Sequence, residues 1–338
     1  MDFVAVDRRA PVLRRPIDAA TIDALCRAAL GPSARLAGCA LLGSGHFNTT
    51  YRLDLEHRPP VVLRLGPEAG APLWRHERGQ MARECSVQPL LRALGDAIPR
   101  LLHADFSQRL VARHWMLAEH RAGEVWELAM PRIGQAANDA LWRAYGELVA
   151  RLHALRGDRF GFPAPAARHA RFSSWFVELV DGLAEDLAEQ RIVVAGLAGF
   201  RSKLDRERAR LDDGVTPRLV HGDLWPRNVL VAQASGGWKI AALLDAERAF
   251  FGDTSAEWIF GFLDIPAAFW AGYGQRLADA DLGATARWRR RAYQARGALQ
   301  MILEGRRFGF DAAFAHRQFA RFSAELSAID AAPRAVHA

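Results

Sequence analysis

Hydrophobic residues recur every three to four positions over several long stretches of the chain, which is the spacing of helices that bury one face. The pattern is clearest in the second half of the sequence, where glycines such as Gly283 and Gly309 interrupt it. It predicts helices at residues 18–30, 77–94, 135–156, 173–190, 194–211, 266–279, 284–308 and 311–328. We therefore expect most of the chain after its first third to be helical.

Shorter apolar runs, bounded by glycine, proline or polar residues, predict strands in the first third of the chain. They place two strands around a loop within residues 40–53, and further strands at residues 61–65, 99–105 and 110–113. A last pair of strands is predicted at residues 229–232 and 238–244, where two adjacent glycines lie between the runs, as in a β-hairpin.

The polar residues around this hairpin are candidate catalytic residues. A hairpin brings its two ends together, so Asn228 before the first strand and Asp245 after the second are expected to lie side by side. Asp223 lies on the same short loop as Asn228. In kinases an Asp of this kind takes the proton of the acceptor hydroxyl, while the Asn and the second Asp hold Mg²⁺ against the nucleotide phosphates. A polar surface loop would explain any one of these residues, but their combination favours a kinase site.

Two segments resemble the signatures of the aminoglycoside phosphotransferase family. Residues 221–228 read His-Gly-Asp-Leu-Trp-Pro-Arg-Asn, which is similar to the family signature His-Gly-Asp-Leu-x-x-x-Asn. Asp245-x-Glu247, followed by Gly252-Asp253, resembles the second signature. The resemblance implies that Asp223 is the catalytic base and that Asn228 and Asp245 are metal ligands. It leaves open whether Glu247 binds the metal or supports its ligands.

The resemblance also implies the fold and the reaction. The expected fold is α+β and protein-kinase-like with two lobes: a small antiparallel-sheet lobe that binds nucleotide at residues 1–119, and a mostly helical lobe that binds the acceptor at residues 120–338. The expected reaction transfers the γ-phosphoryl group of ATP, with Mg²⁺ as a further cofactor, to a hydroxyl of a small molecule.

A nucleotide site is expected in the first lobe. The loop that contains Gly43, Ser44, Gly45 and Asn48 can lay backbone N–H groups against phosphate oxygens. The adenine is implied to contact backbone from Leu117 to His120, and Glu119 lies within that segment.

Arg64 stands in the strand where kinases place a lysine that binds phosphate and pairs with a helix Glu. The chain has no lysine before Lys203, so Arg64 is the candidate for this role and Glu84 is its candidate partner. A guanidinium presents a fork of donors and can still hold phosphate.

Composition and charge further narrow the classes of protein to which the chain can belong. The formal net charge is +7 at pH 7, carried almost entirely by arginines that are spread along the chain among acidic residues. Without a basic run that contains interleaved aromatic residues, nucleic-acid binding is not expected. No apolar run is long enough to span a membrane, and Cys26, Cys39 and Cys85 are too scattered for a disulfide framework. A cytoplasmic setting is expected, and nothing indicates an oligomeric state.

The identity of the acceptor is the part of the expected reaction that the sequence determines least. The resemblance favours an aminoglycoside or related aminated sugar, as in antibiotic-resistance kinases, and the acidic face of the helix at 173–190 could receive such a polycation or simply be solvated. Trp225 is also typical of ketosamine kinases, and sugar, choline-type or homoserine-type acceptors stay open.

A nucleotide-binding pseudokinase, which would bind nucleotide without turnover, is an alternative to the enzyme. A protein kinase is disfavoured because the helix expected from about Thr254 leaves no room for an activation loop. Glu257 is assigned no catalytic role, and His221 is expected to brace the loop.

Overall fold

The computed structural model describes residues 13–43, 47–164, 167–257, 259–277 and 282–331. These residues form two compact units, between which the chain passes several times. The first unit comprises the chain up to Leu73 together with Gly79–Ala129 and Pro226–Glu247; the second comprises Trp74–Arg78, Met130–Trp225 and the chain from Arg248 onward. The assignment of residues 1–119 and 120–338 to two lobes stays a prediction.

The first unit contains a five-stranded antiparallel sheet in the order β1-β2-β3-β5-β4. Its strands are β1 (Leu36–Leu42), β2 (Thr49–Leu55), β3 (Arg58–Glu68), β4 (Leu101–Asp105) and β5 (Arg113–Glu119). Alternate residues of β2, such as Tyr51 and Leu53, are buried, as expected for a strand with one face against a core. Helix α1 (Ala19–Leu30) packs Ile22 and Leu25 into the same apolar cluster.

Helix α2 (Gln80–Leu91) also belongs to the first unit and packs against β4 and β5. A second, three-stranded sheet consists of β6 (Glu124–Val125), β8 (Val229–Ala234) and β9 (Gly237–Leu243), next to the short helix α3 (Trp126–Ala129). β8 and β9 form the predicted hairpin. The backbone N–H of Leu244 donates to the carbonyl of Asn228 at 2.8 Å, so the hairpin does bring its two ends together.

The second unit is mostly helical. Its elements are α4 (Gln135–Ala154), α5 (Phe172–Glu189), α6 (Leu197–Arg206), α7 (Arg208–Asp212), β7 (Arg218–Val220), β10 (Phe250–Gly252), α8 (Ile259–Phe262), α9 (Ala267–Tyr273), α10 (Ala284–Phe308) and α11 (Ala313–Ala331). β7 and β10 pair in antiparallel fashion. The apolar faces of α5, α10 and α11 share one core, which includes Phe176, Leu299 and Phe319. One unit with antiparallel sheets and one mostly helical unit confirm the predicted α+β class.

Several element predictions need correction. The helix predicted at 194–211 is divided into α6 and α7 at Glu207, whose backbone leaves the helical region. The helix predicted at 266–279 ends at Tyr273 because Gly274, with φ of +82°, caps it in the left-handed conformation. Of the strand predicted at 110–113, only Arg113 is extended, as the first residue of β5. No helix in the described part of the chain combines the length and the apolar character needed to cross a membrane.

Candidate active site

The loop that carries the first signature is fixed in the second unit by one buried carboxylate. Glu257 is only 2% exposed and accepts hydrogen bonds from the backbone N–H groups of His221, at 2.9 Å, and Gly222, at 2.8 Å. Gly222 has φ of +78°, and a Cβ there would lie 2.6 Å from the carbonyl oxygen of Arg248. The loop therefore requires glycine at this position. Glu257, which sequence reasoning set aside, is the group that holds the loop backbone.

The carboxylate of Asp223 follows this fixed backbone and is 20% exposed. The indole N–H of Trp225 donates to its Oδ1 at 3.0 Å, and the guanidinium of Arg248 lies 3.9 Å from the same oxygen. Arg248 is itself held by Glu304 at 2.9 Å. A carboxylate oriented by neighbours on two sides can accept a proton from a hydroxyl placed against it. No sequence pattern had indicated that Arg248 or Glu304 belongs to this site.

In the first unit, the guanidinium of Arg64 contacts three carboxylates. Its Nη1 lies 2.7 and 2.8 Å from the two carboxylate oxygens of Glu84. Its Nη2 lies 2.7 Å from Asp245 and 3.1 Å from Glu247. Burial opposes the charge on Arg64, but the three carboxylates outweigh it and raise the pKa of the guanidinium. Arg64 and Glu84 thus form the contact expected by analogy with the lysine–glutamate pair of kinases.

The donor chemistry of these three carboxylates suits a bound cation. One oxygen each from Glu84, Asp245 and Glu247 lies within 4.8 Å of the others. Mg²⁺ prefers oxygen ligands of this kind, and three carboxylates against one guanidinium leave an excess of negative charge. The donor set therefore fits the metal that the signatures imply. Besides Asp245, the cluster contains Glu247, which the second signature left open as a ligand, and Glu84, which was predicted only as the partner of Arg64.

The backbone of Asp245, one of the three carboxylate residues, has an unusual conformation. Asp245 has φ of +63°, a conformation that few residues other than glycine adopt and that Asp tolerates better than most. Its side chain is 40% exposed, whereas those of Glu84 and Glu247 are almost fully buried. Asn228 is buried at the other end of the hairpin. The assignment of Asn228 and Asp245 as metal ligands stays a prediction.

The residues of the predicted phosphate-binding loop do not all lie at the carboxylate cluster. Asn48 is buried and donates from Nδ2 to Glu247 at 2.7 Å, so its side chain joins the carboxylate cluster. Gly43 follows β1, and its carbonyl accepts a hydrogen bond from Arg14 at 3.1 Å. Ser44 and Gly45 lie outside the described residues.

Glu119 ends β5. Its backbone N–H donates to the carbonyl of Arg100 at 2.9 Å, and its side chain forms ion pairs with Arg100 and Arg121. The proposed contact between this segment and adenine stays a prediction.

Taken together, the fold and these groups are those of a kinase-like phosphotransferase. The chain belongs to the phosphotransferase enzyme family, whose sequence profile matches residues 38–293. The match spans most of the chain and confirms the resemblance to aminoglycoside phosphotransferases that the two signatures indicated. A comparison with curated proteins finds no match.

Solved structures support the fold at low sequence identity. A mutant of aminoglycoside phosphotransferase APH(4)-Ia, in a ternary complex with ADP and hygromycin B, is 18% identical with a TM-score of 0.63, over 93% of this chain and 100% of that one. The GDP complex of aminoglycoside 2′-phosphotransferase-IIIa is 18% identical with a TM-score of 0.57, over 89% and 97%. The gentamicin complex of APH(2″)-IIa is 13% identical with a TM-score of 0.55, over 93% and 97%. At these identities the likeness establishes the kinase-like fold and not the substrate.

Proposed function

We propose that the protein transfers the γ-phosphoryl group of ATP to a hydroxyl of a small molecule. The observation that carries the proposal is the contact of Arg64 with Glu84, Asp245 and Glu247, because a cation paired with a helix Glu beside a metal-binding Asp is what a kinase uses to hold phosphates. The nucleotides in the neighbouring structures support a nucleotide donor. The family resemblance favours an aminoglycoside or related aminated sugar as acceptor, with a ketosamine as the alternative.

Each residue has a defined task in this proposal. Asp223 orients the acceptor hydroxyl and takes its proton as the oxygen forms a bond to the γ-phosphorus and ADP leaves. Asn228 and Asp245, with Glu247 beside them, would hold Mg²⁺, which when bound neutralises phosphate charge. Arg64 binds phosphate oxygens, and the backbone of the loop from Gly43 to Asn48 donates to others.

The segment after Asp245 argues for a small acceptor. A short 3₁₀ turn at Ala246–Arg248 leads directly into β10, and a second turn at Thr254–Ala256 follows. The helix expected from about Thr254 is thus this 3₁₀ turn, capped by Asp253. A protein kinase needs a long activation loop in this part of the chain. Here that part of the chain consists of β10 and two 3₁₀ turns, which leave no room for an activation loop. This argues against the protein-kinase alternative.

The proposal is tested by following phosphoryl transfer from labelled ATP to a panel of aminoglycosides, ketosamines, amino alcohols and sugars. Asp223→Asn is expected to lower turnover by roughly 10²–10⁴, the usual contribution of a general base, while ATP binding persists. Asp205→Asn, on the exposed surface of α6, serves as the matched control and should behave like the wild type.

A second variant addresses the metal. Asp245→Ala is expected to abolish Mg²⁺-dependent nucleotide binding measured by calorimetry. Near-wild-type turnover of Asp223→Asn would remove this residue from the mechanism, and unchanged MgATP affinity of Asp245→Ala would contradict the metal assignment. Intact MgATP binding without transfer to any acceptor would favour the pseudokinase.

A further inference from the structure

One face of helix α10 carries a row of three polar residues that leads to the catalytic carboxylate. Arg296, Gln300 and Glu304 are four residues apart and therefore lie on one side of the helix. Gln300 donates to Glu304 at 2.9 Å, and Arg248 donates to the same carboxylate at 2.9 Å. Arg248 in turn lies 3.9 Å from Asp223. All of these residues belong to the second unit.

Arg296, at the start of this row, has no counter-ion of its own among the residues that the structure describes. Its side chain is partly buried, and its Nε atom is shielded from solvent without a hydrogen-bond partner. Within the ranges that the structure describes, its guanidinium makes no hydrogen bond or ion pair. Burial, followed by the nearby charge of Arg248, lowers the pKa of Arg296 to about 10, so it remains protonated at neutral pH. A desolvated charge of this kind is costly unless a partner arrives.

The acids near this row are already paired. Glu304, the carboxylate whose charge acts on Arg296, is held by Arg248 and Gln300. Glu77, which interacts with Glu304, forms an ion pair with Arg307 at 2.8 Å. Among the described residues, Arg296 therefore has only the shared charge of Glu304 to oppose its own, and Arg248 connects Glu304 to Asp223.

The acidic face of α5 offers no alternative surface for a polycation. Each of the four acids that could have served is in an ion pair with an arginine of the same unit: Glu178 with Arg168, Asp181 with Arg201, and Glu185 and Glu189 both with Arg75. The distances for the last three pairs are 2.6, 2.8 and 2.6 Å. A polycationic acceptor would have to displace these arginines.

We propose that Arg296 binds a carboxylate of the acceptor, so that the substrate is a hydroxyl compound with an acid group, such as an aminated sugar linked to an amino acid, rather than a polycationic aminoglycoside. A guanidinium binds a carboxylate through two parallel hydrogen bonds, which fixes orientation as well as charge. The proposal rests on the proposed phosphotransferase function and names its substrate class.

The test compares hydroxyl acceptors that differ only in their charge. The pairs are N-fructosylglycine and its amide, D-gluconate and D-gluconamide, and homoserine and its amide, with kanamycin as the polycation. Binding is measured by calorimetry in the presence of MgADP, and phosphoryl transfer is measured separately from labelled ATP. A charge-assisted hydrogen bond predicts that at least one acid binds about tenfold more tightly than its amide.

Variants of α10 assign the effect to Arg296. Arg296→Gln is expected to remove the preference for the acid, and Arg296→Lys to retain part of it. Arg306→Gln, an exposed arginine of the same helix, should leave the preference unchanged. Circular dichroism and MgATP affinity report whether each variant is folded.

The outcomes separate the two proposals. Equal binding of every acid and its amide, or kanamycin as the preferred acceptor, overturns the carboxylate site while the phosphotransferase function stands. An acid preference that Arg296→Gln abolishes supports the site. The same preference without phosphoryl transfer to any compound would contradict the phosphotransferase function instead. A preference that survives in Arg296→Gln overturns the role of this residue.

Discussion

At the scale of single residues, Glu257 shows how an acid can serve a kinase site without touching the substrate. Its two carboxylate oxygens accept the backbone N–H groups of two consecutive loop residues, His221 and Gly222. It is buried, and it also contacts His153 of α4 at 3.4 Å. The position of Asp223, the next residue in the loop, therefore depends on a side chain from a distant part of the sequence.

Glu257→Gln tests this dependence. A carboxamide offers one oxygen in place of two, so one buried backbone N–H would lose its acceptor at a cost of about 1–3 kcal/mol in unfolding free energy. Turnover is expected to fall with it, because the loop that carries Asp223 loses its anchor. Chemical denaturation and turnover measurements are compared with those of Glu185→Gln, an exposed acid of α5 that should change stability little. Equal behaviour of the two variants would contradict the anchoring role.

At the scale of elements, helices α4 and α9 pack with their backbones in direct contact. A Cβ on Gly146 of α4 would lie 2.1 Å from the carbonyl oxygen of Phe269, and one on Gly272 of α9 would lie 2.0 Å from that of Arg143. Two facing glycines thus permit this close approach. The approach matters for the loop because His153, near the end of α4, contacts both Glu257 and Tyr273, the last residue of α9.

Gly146→Ala should force these helices apart. Overpacking of this kind costs about 1–3 kcal/mol, and more is expected where backbone is the obstacle. The matched control is Gly199→Ala in α6, where a Cβ meets nothing within 4 Å. Helix propensity alone predicts that the control gains about 0.5–1 kcal/mol. Urea denaturation that shows the same sign for both variants would argue against the close backbone contact.

At the scale of the whole molecule, ion pairs of arginine dominate the electrostatics, and the pair of Glu77 with Arg307 predicts a pH-dependent stability. Its side chain is 5% exposed and pairs with Arg307, whose guanidinium lies 3.8 Å from the ring centre of Trp74. Burial raises the pKa of Glu77 to about 7, against the opposing charge of Arg307. The folded protein therefore holds this proton more tightly than the unfolded chain does.

The sign of the resulting pH dependence follows from linkage. Between the ordinary pKa of 4.5 and about 7, the unfolded chain has released the proton while the folded protein still binds it, so stability falls as the pH rises. The slope reaches at most about 1.4 kcal/mol per pH unit. Glu77→Gln cannot titrate, so its unfolding free energy relative to wild type should increase across this window and level off above it. A constant difference from pH 4 to 8 would contradict the raised pKa.

Sequence patterns predicted what depends on local spacing. The helix at 284–308 and the hairpin that joins Asn228 to Asp245 follow from periodicity and turn residues, and both are present. The pairing of Arg64 with Glu84 followed from their places on a strand and a helix. In each case the sequence pattern that predicts the feature lies within one helix or hairpin, or in a strand and a helix whose order along the chain is that of known kinases.

The groups that sequence reasoning missed depend on contacts between distant segments. Glu257 was assigned no catalytic role, and only the fold shows that it binds the loop backbone. Arg248 and Glu304 are 56 positions apart, and nothing in either segment indicates the other. The unpaired state of Arg296 is likewise invisible in a chain where arginine is the dominant cation.

The passage of the chain back into its first unit has a consequence for biosynthesis. Strand β6 pairs with β8, so Val125 can form its strand pairing only after Leu230 has been synthesised. The ribosome must therefore deliver residues 130–225, which belong to the second unit, before the hairpin that completes the first unit emerges. Contacts so distant in sequence form late and slowly. A nascent chain that stops at Ala129 would leave β6 unpaired and Arg64 with Glu84 as its only partner among the three carboxylates. The full cluster of Arg64 with Glu84, Asp245 and Glu247 can therefore form only in the last third of translation.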